Sequence, residues 1–136
     1  MSEIDPDRLA RGAAVYEEVY AGGLPVVPPG SMAFTDLMYA QLFAEQWSRP
    51  GLAHRDRRLL TLGVIAAIGD TDTWAIHLEA ALRRGELTVE EAREAVIHLA
   101  PYVGYPRISP FAGRTEAVIA AVARSRAEDG QAQGGA

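Results

Sequence analysis

His77 is the side chain of this sequence that best suits general acid–base chemistry. It lies at the edge of an apolar helical stripe formed by Trp74, Leu78, Ala81 and Leu82. Asp70, Thr73 and Arg84 fall on the same side of that helix as His77, at offsets of −7, −4 and +7 residues. A partly shielded imidazole with an acid and a base on its flank can have a pKa near neutrality. The spacing alone nevertheless favours a packed structural histidine.

Glu45 is the second candidate for chemistry. A continuous helix would place Glu45 on one face with Phe34, Met38, Leu42 and Arg49. Because three of these residues are apolar, we expect the face to be buried, which would raise the pKa of Glu45, while Arg49 would lower it. The pair fits a structural ion pair and an anion-binding site about equally well.

Two further candidates lie near the end of the predicted fifth helix. His98 falls on its polar side, where it could pair with Glu94 in solvent or contact another subunit. Tyr102 lies in a short segment that holds Gly104 and a second tyrosine. Its hydroxyl could donate to a substrate oxygen, or the ring could simply fill the core.

A cluster of positive charge lies at the start of the predicted third helix, at Arg55, Arg57 and Arg58. Positive charge at the amino end of a helix is unfavourable to the helix dipole, so we expect acids elsewhere to pair with these arginines. An anion site there is the weaker interpretation.

Composition excludes several classes of function. The formal net charge of −5 argues against a nucleic-acid partner and gives no reason to expect an anionic membrane surface. With no cysteine in the 136 residues, disulfides, thiolate catalysis and thiolate metal sites are excluded. The three histidines lack metal-ligand spacing, and no phosphate-binding glycine motif is present. The acidic amino terminus does not resemble a secretory signal, and no run reaches the roughly 20 apolar residues of a membrane helix. We therefore expect a cytoplasmic protein.

The apolar spacing is helical almost throughout and predicts an all-α fold, a compact bundle of about six helices. Predicted helices cover about 6–20, 33–48, 54–68, 71–84, 89–100 and 108–125. The third is apolar nearly all round, which is typical of a central helix. Thr88 and Glu91 predict a capping box for the fifth, and Pro101 and Pro106 bracket a predicted turn. We expect a single domain over residues 1–126 and a disordered tail over 127–136.

The order of four sequence motifs resembles the carboxymuconolactone decarboxylase family over about residues 34–122. The motifs are Trp47-Ser-Arg-Pro-Gly-Leu52, His77 followed by Gly85, Thr88-Val-Glu-Glu91, and Pro101-Tyr-Val-Gly-Tyr-Pro106. The resemblance implies an AhpD-like helical fold and an obligate homo-oligomer, a trimer or hexamer, with active sites near subunit contacts. It also reverses the preference at His77, because His77 matches the most characteristic position of the family.

The thiol-peroxidase members of this family use two cysteines, a downstream histidine and an upstream glutamate. Asp70 and Thr73 stand at the cysteine positions of this chain, and Arg58 stands at the glutamate position. These substitutions imply the cysteine-free decarboxylase branch and not a thiol peroxidase.

Similarity to the decarboxylase branch implies a cofactor-independent carboxy-lyase that acts on a small lactone or cyclic carboxylate in aromatic compound catabolism. By this resemblance Arg49 would bind the retained carboxylate. His77, with Glu45 second, would deliver the proton to carbon, and Tyr102 or His77 would stabilise the oxyanion. An apolar pocket would form around Trp47 and Trp74, with His98 as a minor substrate-binding candidate.

Two alternatives remain at this point. An isomerase or cyclase could use the same acid–base groups on a related cyclic substrate without releasing carbon dioxide. A non-catalytic binding or assembly protein could retain the fold, in which case His77 and Glu45 would be only structural.

Overall fold

The computed structural model describes residues 3–135, and every regular element in that range is helical. The elements are α1 (Pro6–Val19), α2 (Ala33–Met38), a π-helical segment (Tyr39–Gln46), α3 (His54–Ile68), α4 (Thr71–Arg83), α5 (Val89–Val103) and α6 (Tyr105–Gly134). The predicted all-α class with six helices is therefore confirmed. Packing groups the residues into two compact units that divide between Arg57 and Arg58. The expectation of a single domain stays a prediction.

The first unit is built on α1 and the π-helical segment. Asp5 caps α1 by accepting a hydrogen bond from the amide of Asp7 at 3.1 Å. Gly12 permits the two elements to approach closely, since a Cβ at this position would lie 2.1 Å from the carbonyl oxygen of Tyr39. The core of this unit consists of Leu9, Ala13, Val19, Tyr39, Ala40, Phe43 and Trp47.

The π-helical segment corrects the predicted second helix. We expected one α-helix over 33–48, but α2 gives way to the π-helical segment, in which the backbone bonds connect residues five apart. A π-helical turn contains more residues than an α-helical turn, so residues four apart stay on the same side of the segment. The buried residues are therefore Thr35, Tyr39, Phe43 and Trp47. The predicted face was therefore wrong. Phe34 and Glu45, which we expected to be buried, are exposed.

The second unit contains the remainder of α3 together with α4, α5 and α6. Its core includes Leu62, Ile65, Trp74, Leu78, Ala92, Val96, Phe111 and Val118. Only one side of α3 is buried, at Arg58, Leu62, Ile65 and Ala66. Contrary to its predicted central position, α3 exposes Leu60, Val64 and Ile68, which follow one another at intervals of four residues.

The ends of α5 agree with the prediction at one terminus and differ at the other. The capping box is confirmed, because the side chains of Thr88 and Glu91 each bond the backbone of the other. The predicted turn at Pro101 is wrong, because α5 continues through Pro101 to Val103. Pro101 removes only one backbone donor near the end of the helix. Gly104, at φ 98°, separates α5 from α6.

The last helix is longer than predicted. We expected it to end near residue 125, but α6 continues to Gly134, so residues 127–134 are helical where a disordered tail was expected. This stretch holds Ala127, Glu128 and Ala132, which are good helix formers, and it holds no proline. Ala136 lies outside the described residues.

Candidate functional site

A buried charged network surrounds His77 in the second unit. His77 is 4% exposed and Arg58 is 0% exposed. One guanidinium nitrogen of Arg58, Nη1, lies 2.9 Å from His77 Nδ1. Its Nε donates to Glu86 Oε1 at 2.9 Å, and its Nη2 donates to Glu86 Oε2 at 3.4 Å. An imidazole, a guanidinium and a carboxylate are thus held together at a largely buried position.

Three elements supply these side chains. Arg58 comes from the buried face of α3, four residues before Leu62. His77 comes from the middle of α4. Gly85 then ends that helix at φ 69°, and the amide of Glu86 bonds the carbonyl of Ala81 at 2.9 Å. This reversal returns Glu86 toward the helix that carries His77.

Arg84 completes the network from the end of α4. Its Nε donates to Glu86 Oε2 at 2.8 Å, so Glu86 receives hydrogen bonds from two arginines. Burial alone would raise the pKa of Glu86, but the hydrogen bonds and charges of Arg58 and Arg84 outweigh that effect and hold it below the usual value. Glu86 is therefore an ionised carboxylate at neutral pH, although its side chain is only 8% exposed.

The electrostatic state of His77 differs from the one expected. Burial, followed by the positive charge of Arg58, lowers the pKa of His77 to about 4, and the negative charge of Glu86 offsets only part of that decrease. We expected a pKa near neutrality. The imidazole is instead neutral at physiological pH, because the group beside it is a cation in a site with little water.

Within the first unit, Glu45 does not pair with Arg49 as expected. Its carboxylate binds the guanidinium of Arg8, which also donates from Nε to the carbonyl of Ala40 at 2.9 Å. The side chain of Glu45 is 59% exposed. The expected burial of Glu45 is therefore wrong, since the π-helical segment turns its side chain toward solvent.

The other first-unit candidates have structural contacts. The indole of Trp47 belongs to the core of the first unit. The backbone carbonyl of Trp47 lies 3.1 Å from Nε2 of His54. Arg49 is exposed, and its carbonyl accepts a hydrogen bond from Arg57 Nη2 at 2.8 Å. Their expected roles in binding substrate stay predictions.

In the second unit, Trp74 is fully buried. Its indole Nε1 donates to the hydroxyl of Thr115 at 2.9 Å, and its ring meets Phe111 edge to face at 5.2 Å. These contacts favour a structural role over the expected pocket-lining role. His98 and Tyr102 instead lie on the surface of α5, with ring centroids 5.4 Å apart, and Tyr102 is 79% exposed.

A shallow groove of about 390 Å³ lies between α4 and α6. It is lined on α4 by Asp72, Ala75, Ile76 and Glu79, and on α6 by Arg114 and Val118. His77 is directed away from this groove, because it follows Ile76 by one residue, about 100° around the helix. The groove is therefore distinct from the charged network.

Over residues 3–135 no group of three or more histidine, aspartate or glutamate side chains is placed to hold a metal ion. Across the same range, none of the helices combines the length and the apolar character needed to cross a bilayer.

Comparison with known proteins agrees with the arrangement of motifs. Residues 32–117 match the model of the carboxymuconolactone decarboxylase family, which is more than half of the chain. The chain belongs to the carboxymuconolactone decarboxylase family. This confirms the resemblance inferred from the four motifs, and the matched region closely follows the expected one.

Two curated proteins are similar to this member of the family. The 4-carboxymuconolactone decarboxylase of Acinetobacter baylyi is 39% identical over 64 residues, which are 47% of each chain. The nitrosuccinic acid decarboxylase npaB of Metarhizium robertsii is 34% identical over 95 residues, 70% of this chain and 63% of that protein. The chain thus spans less than two thirds of either relative. No solved structure gave a significant match.

The positions that correspond to the cysteines of the thiol-peroxidase members have a different role here. Asp70 caps α4 by accepting a hydrogen bond from the amide of Thr73 at 3.0 Å and another from its hydroxyl. The hydrogen bond from the Thr73 hydroxyl is the main cause of the lowered pKa of Asp70. The pair now stabilises the start of the helix that carries His77.

Glu86 was not among the functional candidates, and Arg58 was considered only as part of an arginine cluster that we expected to pair with acids elsewhere, as it does with Glu86. The signal for Arg58 was present, because it precedes Leu62 and Ile65 by four and seven residues on the buried face of α3. Glu86 had no periodic signal, because it lies in the α4–α5 connection, outside any helix. Only the chain reversal at Gly85 places it beside Arg58.

Proposed function

We propose that this chain is a cofactor-independent carboxy-lyase that acts on a small carboxylic acid and that His77 contacts the reacting group. The single observation that carries the proposal is the buried network of His77, Arg58 and Glu86, in a chain whose two curated relatives are named as decarboxylases. A neutral buried imidazole beside a cation is a polar group held ready for charge that develops in a reaction.

The acids in the relatives' names share a chemical feature. In 4-carboxymuconolactone and in nitrosuccinic acid, a carboxylate can leave a tetrahedral carbon whose electron pair is then delocalised into an electron-withdrawing group, the unsaturated lactone carbonyl or the nitro group. The bond to the carboxylate carbon breaks, and its electron pair passes to oxygen of that group. Carbon dioxide leaves, and one proton then adds to carbon. We infer that the substrate of this chain belongs to the same class.

The remaining candidates of each unit are proposed separately as substrate-binding residues. Arg49 is proposed to bind a second carboxylate that the substrate retains, and Tyr102 to donate its phenol to a substrate oxygen. Both side chains are exposed, which supports contact with a ligand. Glu45, Trp47 and His98 are proposed as secondary contacts, whereas the complete burial of Trp74 favours a role in holding α4 in place.

We also propose that the chain assembles with copies of itself. The support is the exposed apolar stripe on α3, formed by Leu60, Val64 and Ile68, which would be stabilised by removal from water. Light scattering after gel filtration should give the mass of a trimer or hexamer. A monomeric mass at micromolar concentration would contradict the proposal.

The test of the function is an assay of carbon dioxide release from 4-carboxymuconolactone and from nitrosuccinate. Wild type should turn over at least one acid, and His77→Ala should lower kcat by about 10²–10³-fold, the effect of removing a donor to a developing oxyanion. Glu79→Gln is a matched control, because Glu79 lies on the same helix and pairs with Arg83 at 3.1 Å. Turnover of neither acid, or full activity in His77→Ala, would contradict the proposal.

A further inference from the structure

We propose that Arg58 fixes the tautomer of His77, so that the imidazole always carries its proton on Nε2 and acts as a neutral hydrogen-bond donor and not as an imidazolium acid. The catalytic part of this inference rests on the proposed function. The tautomer itself rests only on the contacts of the two side chains.

The contact between the two side chains decides which nitrogen carries the proton. Arg58 Nη1 lies 2.9 Å from His77 Nδ1. A guanidinium has only donors and remains protonated at every pH at which proteins fold, so Nδ1 must be the acceptor. A neutral imidazole that accepts at Nδ1 has its single proton on Nε2.

Hydrogen bonds to Glu86 fix the orientation of the Arg58 guanidinium relative to His77. Arg58 is completely buried, and its Nε and Nη2 are bonded to the two oxygens of Glu86. Glu86 is bonded in turn by Arg84 at 2.8 Å. Two carboxylate bonds fix the plane of the guanidinium, and the remaining nitrogen is then directed at Nδ1.

The positive charge of Arg58 opposes protonation of His77 and outweighs the negative charge of Glu86, which favours it. Arg58 approaches from α3, and Glu86 approaches from the connection after α4, with Arg84 bound to its far side. A proton on Nδ1 would face the N–H of Arg58 and add positive charge at a buried site. Burial, and then the charge of Arg58, accordingly lower the pKa of His77 to about 4.

The chemical consequence follows from the role of a neutral donor. When the bond to the leaving carboxylate breaks, negative charge collects on the oxygen of the lactone carbonyl or nitro group. The Nε2–H of His77 can stabilise that oxygen without being transferred, as neutral imidazoles do at other enolate-forming sites. The proton that adds to carbon then comes from water and not from His77. Arg58 is a positioning residue in this scheme, since it acts through His77.

The direct test is nitrogen NMR of protein labelled with ¹⁵N-histidine, with signals assigned by His54→Gln and His98→Gln. We expect His77 to show an unprotonated Nδ1 and a protonated Nε2, unchanged between pH 8 and 5.5. A protonated Nδ1, a mixture of tautomers, or an imidazolium at pH 7 would overturn the inference. No substrate is involved, so this result is independent of the proposed function.

Variants of Arg58 test what fixes the tautomer. Arg58→Lys keeps a donor-only cation and should keep the proton of His77 on Nε2. Arg58→Met should give a mixture of tautomers if it folds, as judged by circular dichroism. A lysine variant with the proton on Nδ1, or a folded methionine variant with an unchanged tautomer, would show that Arg58 does not set it.

A kinetic test distinguishes a His77 that acts as a neutral hydrogen-bond donor from a His77 that acts as an acid. Relative to the loss of about 10²–10³-fold in His77→Ala, His77→Gln should recover part of kcat, because the glutamine amide is also a neutral N–H donor. Equal loss in both variants would overturn the donor role. If wild type turns over neither acid while the NMR result holds, the proposed function fails and the tautomer assignment stands.

Discussion

Glu45 in the first unit and Glu86 in the second both pair with arginine, but in opposite surroundings. The side chain of Glu45 is 59% exposed and meets Arg8, whose own side chain is 35% exposed. The side chain of Glu86 is 8% exposed and meets Arg58, which is 0% exposed. Water screens the first pair, whereas the second changes the pKa of its neighbour His77. The difference indicates that the candidate site lies where charge and burial coincide.

The largest expected effect is a difference in the free energy of unfolding when each of these two ion pairs loses its arginine. Arg58→Met should lower the free energy of unfolding by about 3–5 kcal/mol, because it leaves a buried carboxylate with one partner fewer. Arg8→Met should cost at most about 1 kcal/mol, as exposed pairs do. Urea unfolding followed by circular dichroism measures both. Equal small losses would mean that the Arg58 pair is no more buried in solution than the Arg8 pair.

A second prediction concerns pH. The folded-state pKa of His77 is lowered from 6.5 to about 4, so the unfolded chain binds more protons between these values. Stability should therefore be complete above pH 6.5 and should fall by about 3 kcal/mol as pH decreases through the window to 4. Unfolding at several pH values should show a shallower slope in His77→Gln than in wild type. The same dependence of the unfolding free energy on pH in both proteins would contradict the lowered pKa of His77.

Several elements of the fold could be predicted from the sequence. The helix α3 was predicted with the observed bounds, because its apolar residues are dense and Gly69 ends it. The capping box at Thr88 and Glu91 was also predicted, since both hydrogen bonds are local. Periodicity and capping are local signals, and they were sufficient for the fold class and for most helices.

The parts that failed depend on contacts between distant residues. The π-helical segment packs Tyr39 against Gly12 of α1, and a helical wheel of the segment alone cannot include that contact. His77 was found as a candidate, but its pKa could not be inferred without Arg58, which is 19 residues away in sequence. His77 could therefore be proposed as a candidate from the sequence, but its neighbours and its protonation state required the structure.

A third prediction concerns the hydrogen bond between the buried Trp74 and Thr115. Trp74→Phe should cost about 1–3 kcal/mol, because the buried hydroxyl of Thr115 loses its donor at 2.9 Å. Adding Thr115→Val to Trp74→Phe should recover part of that loss. Thermal or urea unfolding of the single and double variants measures the coupling. Strict additivity would show that the hydrogen bond does not contribute to the stability of the core.

The smallest expected effect concerns Asp70, whose carboxylate accepts a hydrogen bond from the backbone and, within residues 3–135, does not pair with an arginine. Asp70→Ala should cost about 1 kcal/mol, because the amide of Thr73 loses the acceptor that caps α4. Asp72→Ala is the matched control, since the side chain of Asp72 is 82% exposed and pairs with Arg114 at 3.0 Å. If the control loses as much stability as Asp70→Ala, the cap is not the cause.

The most direct test of the central claim is the dependence of kcat on pH for carbon dioxide release by the wild-type protein. We expect a rate that stays constant between pH 8 and 5.5, because His77 remains neutral and keeps its proton on Nε2 throughout that range. A rate that instead increases as pH falls through 6.5 would mean that His77 acts as an imidazolium acid and not as a neutral donor.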